Sequence, residues 1–595
     1  MAKAAESLSE LPQRVKFASL SPMPSRWGGS RSQSDGEISQ ASDGDHSYVM
    51  TVEEAGQHIV GIIGMGVMGT LYAETLAGAG FLVLVCDKPS ETERLLEKYG
   101  DGTRNVFPCA GGHLISRVAH MVVYSTETAT LPIVAKLYGP STRPGAIVAG
   151  QCSVKAPEIE ALEAHLPKDV PIVSVHSLHA GDISTKGQTL VFMPYRCNLR
   201  EELFAKAVFG CFESKMITMT VHEHDEITAD TQVVTHLALM SMGLAWFRAG
   251  TYPWEDVSYV GGIENIKVLS TLRVFSAKAH IYESLAMQNP CSNRQVAQYA
   301  RSVSDLFKLM LTQDRDTLYA RIMKGREFVF GLTDTREERV ADGGSVGTMA
   351  ATKYQESLES SNREGRAGRP ILLLPDTLLD EFALGGRNPG SREQRANLNS
   401  PSDPHHSHTL VRDGPCPSQG SPLQSRDGPS IERRSPSNSP SCFRNTPAGG
   451  QQNDSGRSSP LVSVFLRGNS HLSLLAMVDS WYQLGVNPYG HLVCVTPPFR
   501  FRLGIAEYLY HRIELLEQSL EVALYDPKIR GDDMEFFLAS NLWAETIRNK
   551  DSQGYLSRFL EISHFFEERL ADAREKFSRL NRKIIQLHAL QDSPK

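Results

Sequence analysis

Seven short apolar runs punctuate residues 58–221: HIVGII (58–63), FLVLVC (81–86), MVVYS (121–125), AIVAG (146–150), IVSVH (172–176), LVFM (190–193) and MITMTV (216–221). Each is bounded by turn residues and has the length of a strand buried on both faces. Set in a strand-and-helix rhythm, they predict a doubly wound, Rossmann-type α/β domain over residues 57–222, extended beyond its first six strands. Past residue 223 the period changes. Over 225–250 and 263–287 the apolar residues recur at helical spacing without strand punctuation, so an all-α domain is expected over 223–331.

Two stretches break the pattern. Residues 332–368 and 386–460 are dense in Ser, Pro, Gly, Arg and Asn, and they carry too little apolar surface to fold. Residues 1–56 read as a disordered tail in the same way. Between the two polar stretches lies RPILLLPDTLLDEFALG (369–385), an apolar island expected to dock on the folded body. Residues 332–460 are thus a mostly disordered insertion with one docked segment, and helical periodicity resumes over 461–590.

That last segment repeats an earlier one. THLALMSMGLAWFRAGTYPW (235–254) lies over SHLSLLAMVDSWYQLGVNPY (470–489) without a gap, and seven of the twenty positions are identical. His236 falls over His471, Trp246 over Trp481, Gly250 over Gly485 and Pro253 over Pro488. Leu and Met matches come cheaply on core faces, but His, Trp, Gly and Pro at one offset point to duplication of the helical domain.

GIIGMGVMGTLYAETLAGAGFLVLVCD (61–87) carries the first chemistry. Gly64, Gly66 and Gly69 fall between a strand and a helix, interleaved with Met65, Val67 and Met68, and Asp87 closes the next strand. Gly64 permits the tight turn, Gly66 the close approach of a pyrophosphate, and Gly69 close packing of helix on strand. Bare N–H groups at the helix start then hold the phosphates. Asp87 suits the ribose hydroxyls of NAD, whereas Lys88, with Ser90 and Thr92, suits the 2′-phosphate of NADP. On residues alone the two cofactors are balanced. Ser125, closing the strand MVVYS, is a further cofactor contact at the same edge.

Composition removes several alternatives. A chain of 595 residues has room for about two to four domains. A net charge of −7 with scattered basic residues gives no electrostatic reason to expect nucleic acid. Nine cysteines without a CxxC pair indicate neither a metal site nor a disulfide framework, and a reducing, cytoplasmic setting fits. No apolar run has membrane-spanning length.

Dehydrogenation needs a proton acceptor beside the nicotinamide, and such sheets present ligands at the carboxyl ends of their strands. IVSVH delivers His176 there, ahead of a small-residue turn, where it can take a proton from an alcohol or simply cap its strand. QCSVK, after the preceding strand, offers the Ser153 hydroxyl and the Lys155 ammonium to the same cleft, although at strand ends both are commonly just solvated.

The combination of GIIGMGVMG, GQCSVKAPEIEAL, VHSLHAGD, EHDEITADTQVVTHLALMSMG, GGIENIKVLSTLRVFSAKAHIYESLA and NSHLSLLAMVDSWYQLGVNPYGHLVCVTPPFR resembles the fungal prephenate dehydrogenases. The resemblance covers nearly all of the chain outside the tail and the two polar stretches. It implies oxidative decarboxylation of prephenate to 4-hydroxyphenylpyruvate in tyrosine synthesis, with NADP as cofactor. It also implies roles: His176 as the catalytic histidine on the ring hydroxyl at C4, Ser153 as a contact to that hydroxyl, His236 as a wall of the substrate site, and Arg273 as the clamp on a carboxylate. Bacterial members carry proline where Ser177 stands, and they are homodimers with interlocked helical domains. A duplicated helical segment therefore implies a pseudo-dimeric monomer, or else a homodimer, with His471 and Arg500 as counterparts of His236 and Arg273. Two rival readings are a β-hydroxyacid-type NAD(P) dehydrogenase, whose catalytic lysine and glycine-rich substrate loop are not found here, and a non-catalytic NADP-sensing regulator.

Overall fold

The computed structural model describes residues 58–179, 181, 183–256, 259–332, 379, 381, 382 and 468–591, with the backbone alone for 493 and 585–591. The expected tail, both polar stretches and most of the segment 369–385 lie outside the described residues. Among those described, β1 (Ile59–Ile63), β2 (Leu82–Cys86), β3 (Val106–Pro108), β4 (Met121–Tyr124), β5 (Ile147–Gly150), β6 (Ile172–Ser177), β7 (Thr189–Arg196) and β8 (Lys215–Thr218) form an eight-stranded sheet in the order β3-β2-β1-β4-β5-β6-β7-β8. The first six strands are parallel, β7 runs antiparallel to β6, and β8 is parallel to β7. Helices α1 (Val67–Gly78), α2 (Thr92–Tyr99), α3 (Gly112–Val118), α4 (Leu131–Tyr138), α5 (Ala156–His165) and α6 (Leu199–Gly210) connect them. Both faces are covered: Val60, Ile62, Val83 and Val85 pack into one core and Ile59, Ile63, Leu84 and Cys86 into the other. That is why these strands read as unbroken apolar runs rather than as alternation.

Three details depart from the sequence pattern. Strand β3 is a three-residue edge strand ending in Pro108, too short to leave a periodic signal. Residues 189–196 pair further than the apolar core LVFM because β7 draws its partners from both β6 and β8. The run 216–221 stops early as a strand, since Thr220 and Glu223 form a capping box that starts α7 (Val221–Thr228).

The helical part continues from α7 through a π-helical turn (Ala229–Val233) into α8 (Val234–Ala249), followed by α9 (Ile263–Phe275), α10 (Ala279–Met287), α11 (Ser292–Leu311) and α12 (Arg315–Phe330). Residues 263–287 are therefore two helices, separated at Ser276. After the insertion come α13 (Leu472–Leu484), α14 (Pro497–His511), α15 (Ile513–Tyr525), α16 (Pro527–Arg548), α17 (Ser552–Phe565) and α18 (Glu567–Gln591).

Helices α8 to α12 and α13 to α17 follow the same order, and α8 and α13 end alike, on left-handed Gly250 and Gly485 with φ of 64° and 67°. Their packing is reciprocal. The first helix of each set lies mainly on the fourth helix of the other, α8 on α16 and α13 on α11, and the fourth helices α11 and α16 lie on each other. Buried indoles fasten the exchange: Trp543 Nε1 donates to the Met240 carbonyl at 3.2 Å and Trp481 Nε1 to the Asp230 carbonyl at 3.0 Å. Helices α8 and α13 touch only in part, because each spends its apolar face on the other's fourth helix. One continuous core joins both sets and takes in Val154 from the loop between β5 and α5, as well as Leu379 and Phe382. No helix among the described residues is long and apolar enough to cross a membrane.

Candidate active site

The glycine loop is set by contacts that side chains would break. Gly64 lies at φ +103°, and a Cβ there would run into the Ser125 carbonyl; one on Gly69 would overlap the Gly64 carbonyl oxygen. Gly66, by contrast, faces open space. Helix α1 begins at Val67 with no side-chain cap and no acidic residue in its first turn, so its leading N–H groups remain for an anion. The buried Thr126 Oγ1, beside Gly64, has no hydrogen-bond partner among the described residues. These residues fit a dinucleotide pyrophosphate.

Asp87 is turned inward. Its Oδ2 accepts the Met65 N–H at 2.7 Å and its Oδ1 the Lys88 N–H at 2.7 Å, so the carboxylate braces the loop. Two cations flank it. Lys88 is largely exposed, with Nζ 3.7 Å from Glu91. Arg94, on α2, donates Nη2 to the Met65 carbonyl at 3.1 Å and Nε to Glu91 at 2.7 Å.

At the carboxyl end of β6, His176 is buried, and its Nδ1 lies 2.8 Å from His224 Nε2; His224 Nδ1 lies 2.9 Å from Asp225 Oδ1. Burial holds the His176 imidazole well below the usual histidine range, and the nearby His224, Lys155 and His179 push the same way. Ser177 meets the Tyr72 hydroxyl at 2.7 Å, a partner on α1 that proline could not engage. Lys155 does not face the cleft and is not solvated either. It is fully buried, with Nζ 3.2 Å from Glu158 and donating to the Val175 carbonyl at 2.8 Å, while Glu158 also accepts from Ser174 Oγ and the Cys152 N–H. Ser153, half-buried, sits between these locked residues.

A second group lies in the helical part. His236 on α8 packs edge-on against Tyr282 of α10, ring centroids 4.6 Å apart, and its buried Nδ1 has no hydrogen-bond partner among the described residues. Burial, with the Arg273 charge adding, takes its pKa down to about 3. Arg273, in the last turn of α9, is half-buried and has no carboxylate partner among the described residues. His280 Nε2 to Glu127 Oε1, 3.2 Å, ties α10 to the loop after β4.

Residues 59–171 match the family described as the NAD binding domain of 6-phosphogluconate dehydrogenase, and residues 233–364 and 460–586 match a family described as a 6-phosphogluconate dehydrogenase C-terminal domain. Over 518 residues, 87% of this chain and 91% of the relative, the sequence is 35% identical to the prephenate dehydrogenase [NADP(+)] of Saccharomyces cerevisiae. A probable prephenate dehydrogenase [NADP(+)] of Schizosaccharomyces pombe is 34% identical over 89% of this chain and 97% of its own length. The chain belongs to the fungal prephenate dehydrogenase family. Among solved structures, prephenate dehydrogenase from Aquifex aeolicus is 16% identical and covers 44% of this chain and 94% of its own, with a TM-score of 0.36.

In this prephenate dehydrogenase family member the sequence-derived residues fall into two groups. His176 and Ser153 stand at the sheet edge with the glycine loop and Ser125, whose N–H donates to the Ile63 carbonyl at 2.8 Å. His236 and Arg273 stand together on α8 and α9. No hydrogen bond or ring contact among the described residues links the two groups. Arg500 is not the counterpart of Arg273, for it lies in the first turn of α14 whereas Arg273 closes α9; the repeat offset instead places Tyr508 over Arg273 and Arg502 over Lys267. Sequence reasoning missed Arg94, Tyr282, His224 and Asp225. The only signal for the last two was the HD pair just inside a capping box.

Proposed function

We propose that this chain oxidatively decarboxylates prephenate to 4-hydroxyphenylpyruvate with NADP, and that His176 is the base. The observation that carries the reading is a buried histidine, held neutral at physiological pH, at the carboxyl edge of a dinucleotide-binding sheet. A neutral imidazole there takes the proton of the ring hydroxyl at C4, with Ser153 as second contact to that oxygen. NADP, when bound on the glycine loop, supplies the acceptor for the hydride that leaves C4. Loss of the C1 carboxylate as CO2 then makes the ring aromatic, which drives the reaction one way.

Arg273 holds a substrate carboxylate through its planar fork, a role that a guanidinium with no carboxylate partner among the described residues suits better than an ammonium. His236, uncharged, offers a hydrogen bond without adding a second positive charge beside Arg273. Lys88 and Arg94 receive the 2′-phosphate, since Asp87 spends both oxygens on backbone N–H groups and leaves no oxygen dedicated to the ribose.

The reciprocal exchange of first and fourth helices is the arrangement two interlocked subunits would make. We infer that the second helical set occupies a partner's place, so that a cytoplasmic monomer with one nucleotide domain is the functional unit. The test of function is NADPH absorbance on mixing the full chain with prephenate, run beside NAD and arogenate. Turnover of prephenate with NADP is expected, and its absence would overturn the reading.

A further inference from the structure

We propose that His224 and Asp225 are positioning residues of the reaction, fixing the tautomer and orientation of His176 from the joint between the sheet and the helical part. The proposal rests on the reading of His176 as the base.

The hydrogen-bond inventory leaves one assignment. Asp225 Oδ1 lies 2.9 Å from the Lys155 N–H and Oδ2 2.8 Å from the Ala156 N–H, at the start of the ten-residue helix α5. Backbone N–H groups only donate, so Asp225 acts through acceptor oxygens, favoured by the positive end of the helix. His224 Nδ1, 2.9 Å from the same Oδ1, is therefore the donor, and the Nε2 of the neutral ring is an acceptor. Burial keeps that ring neutral, although the Asp225 bond opposes it. His176 Nδ1, 2.8 Å from His224 Nε2, must in turn donate. That leaves the lone pair of His176 Nε2 free to take a proton. When it does, the imidazolium keeps its Nδ1–H bond to His224, with the Asp225 carboxylate behind.

The other polar groups around the pair are committed. The Lys155 ammonium is held by Glu158 and the Val175 carbonyl, and the Tyr72 hydroxyl by Ser177. His179, in the turn after β6, disfavours protonation of His176. The relay belongs to α7, whose start is set by the Thr220 and Glu223 capping box, and Asn289 Nδ2 holds the Asp225 carbonyl at 2.8 Å from the α10–α11 turn. Asp225 thus caps α5 of the nucleotide domain and aligns the base with the same carboxylate. The base is configured only when α7 is seated on α5.

The test compares wild-type enzyme with His224→Gln, His224→Leu and Asp225→Asn in the prephenate and NADP assay, with melting temperature and NADP affinity measured on each. A glutamine amide oxygen accepts from His176 Nδ1 while its NH2 donates to Asp225, so His224→Gln is expected to keep kcat within about tenfold of wild type. His224→Leu provides no acceptor and is expected to lose about two to four orders of magnitude in kcat, with KM for prephenate and NADP affinity within about threefold. Asp225→Asn sets an NH2 against one of the two backbone N–H donors at the start of α5 and removes the carboxylate charge behind His224, and it is expected to fall comparably. If His224→Leu does not fold, the contrast between His224→Gln and Asp225→Asn decides. A leucine variant within threefold of wild-type kcat, or a glutamine variant as impaired as the leucine one, overturns the proposal. Absence of wild-type turnover would overturn the functional reading and the relay with it, whereas an active wild type with an unaffected leucine variant overturns the relay alone.

Discussion

His471, the repeat counterpart of His236, is expected to matter for stability and not for chemistry. It is buried at φ +53°, immediately before α13, with Nδ1 2.9 Å from Glu264 Oε1 and 3.2 Å from Lys267 Nζ. Burial pushes the Glu264 carboxyl up, but Lys267 and His471 outweigh it and hold it at about 2. Replacing His471 by Ala removes one buried hydrogen bond to a charged group, about 1.5–3 kcal/mol, and some packing, for a total near 2–4 kcal/mol. At about 2 °C per kcal/mol for a folded body of this size, the melting temperature should fall by about 4–8 °C. His471→Gly loses the same contacts but relieves the left-handed backbone, and should be about 1 kcal/mol less destabilised than His471→Ala. Thermal melts and steady-state kinetics on both variants check this. An Ala variant melting within about 1 °C of wild type, a Gly variant no more stable than Ala, or a kcat lowered more than tenfold would refute a purely structural His471.

Arg273→Ala should mainly raise the KM for prephenate, because a carboxylate clamp stabilises ground and transition states alike; an unchanged KM with lost kcat would assign Arg273 to the decarboxylation step instead. Lys88→Ala and Arg94→Ala should each weaken NADP more than NAD in titrations of the free enzyme, since only NADP presents a 2′-phosphate, and equal losses would place that phosphate elsewhere. His176, His224, His236 and His471 are all held below the ordinary value of 6.5, chiefly by burial. Above that pH they are neutral in both folded and unfolded chains. As pH falls below it the unfolded chain takes up protons the native one refuses, so each withdraws up to about 1.4 kcal/mol per pH unit until its folded pKa is reached. Melting temperature should therefore decline from pH 6.5 towards 5, opposed in part by Asp230 and Asp533, whose carboxyls burial raises to about 6 and about 7; a flat profile would contradict the neutral histidines.

What the sequence disclosed follows from how local each signal is. The glycine loop and Asp87 were legible because turn, helix start and next strand lie within 27 residues, and His176 because an unbroken apolar strand ends on it. The inward turn of Asp87 was not, since it depends on the Met65 N–H across the loop. His224 and Asp225 were hidden for the opposite reason. HEHDE reads as a charged, solvated helix start, and only docking on α5, 69 residues away in sequence, converts it into a buried pair. The repeat was visible in its His, Trp, Gly and Pro, but the exchange of first and fourth helices is a property of packing, and periodicity carries no record of which apolar face meets which. The π-helical turn at Ala229–Val233 likewise leaves no mark in an apolar pattern that fits one long helix.

The most direct test of the central claim is kcat for His176→Asn with prephenate and NADP, read beside NADP affinity. Loss of the base should lower kcat by about two to four orders of magnitude with NADP binding little changed. A variant that keeps more than a tenth of wild-type kcat would contradict the assignment of His176 as the base.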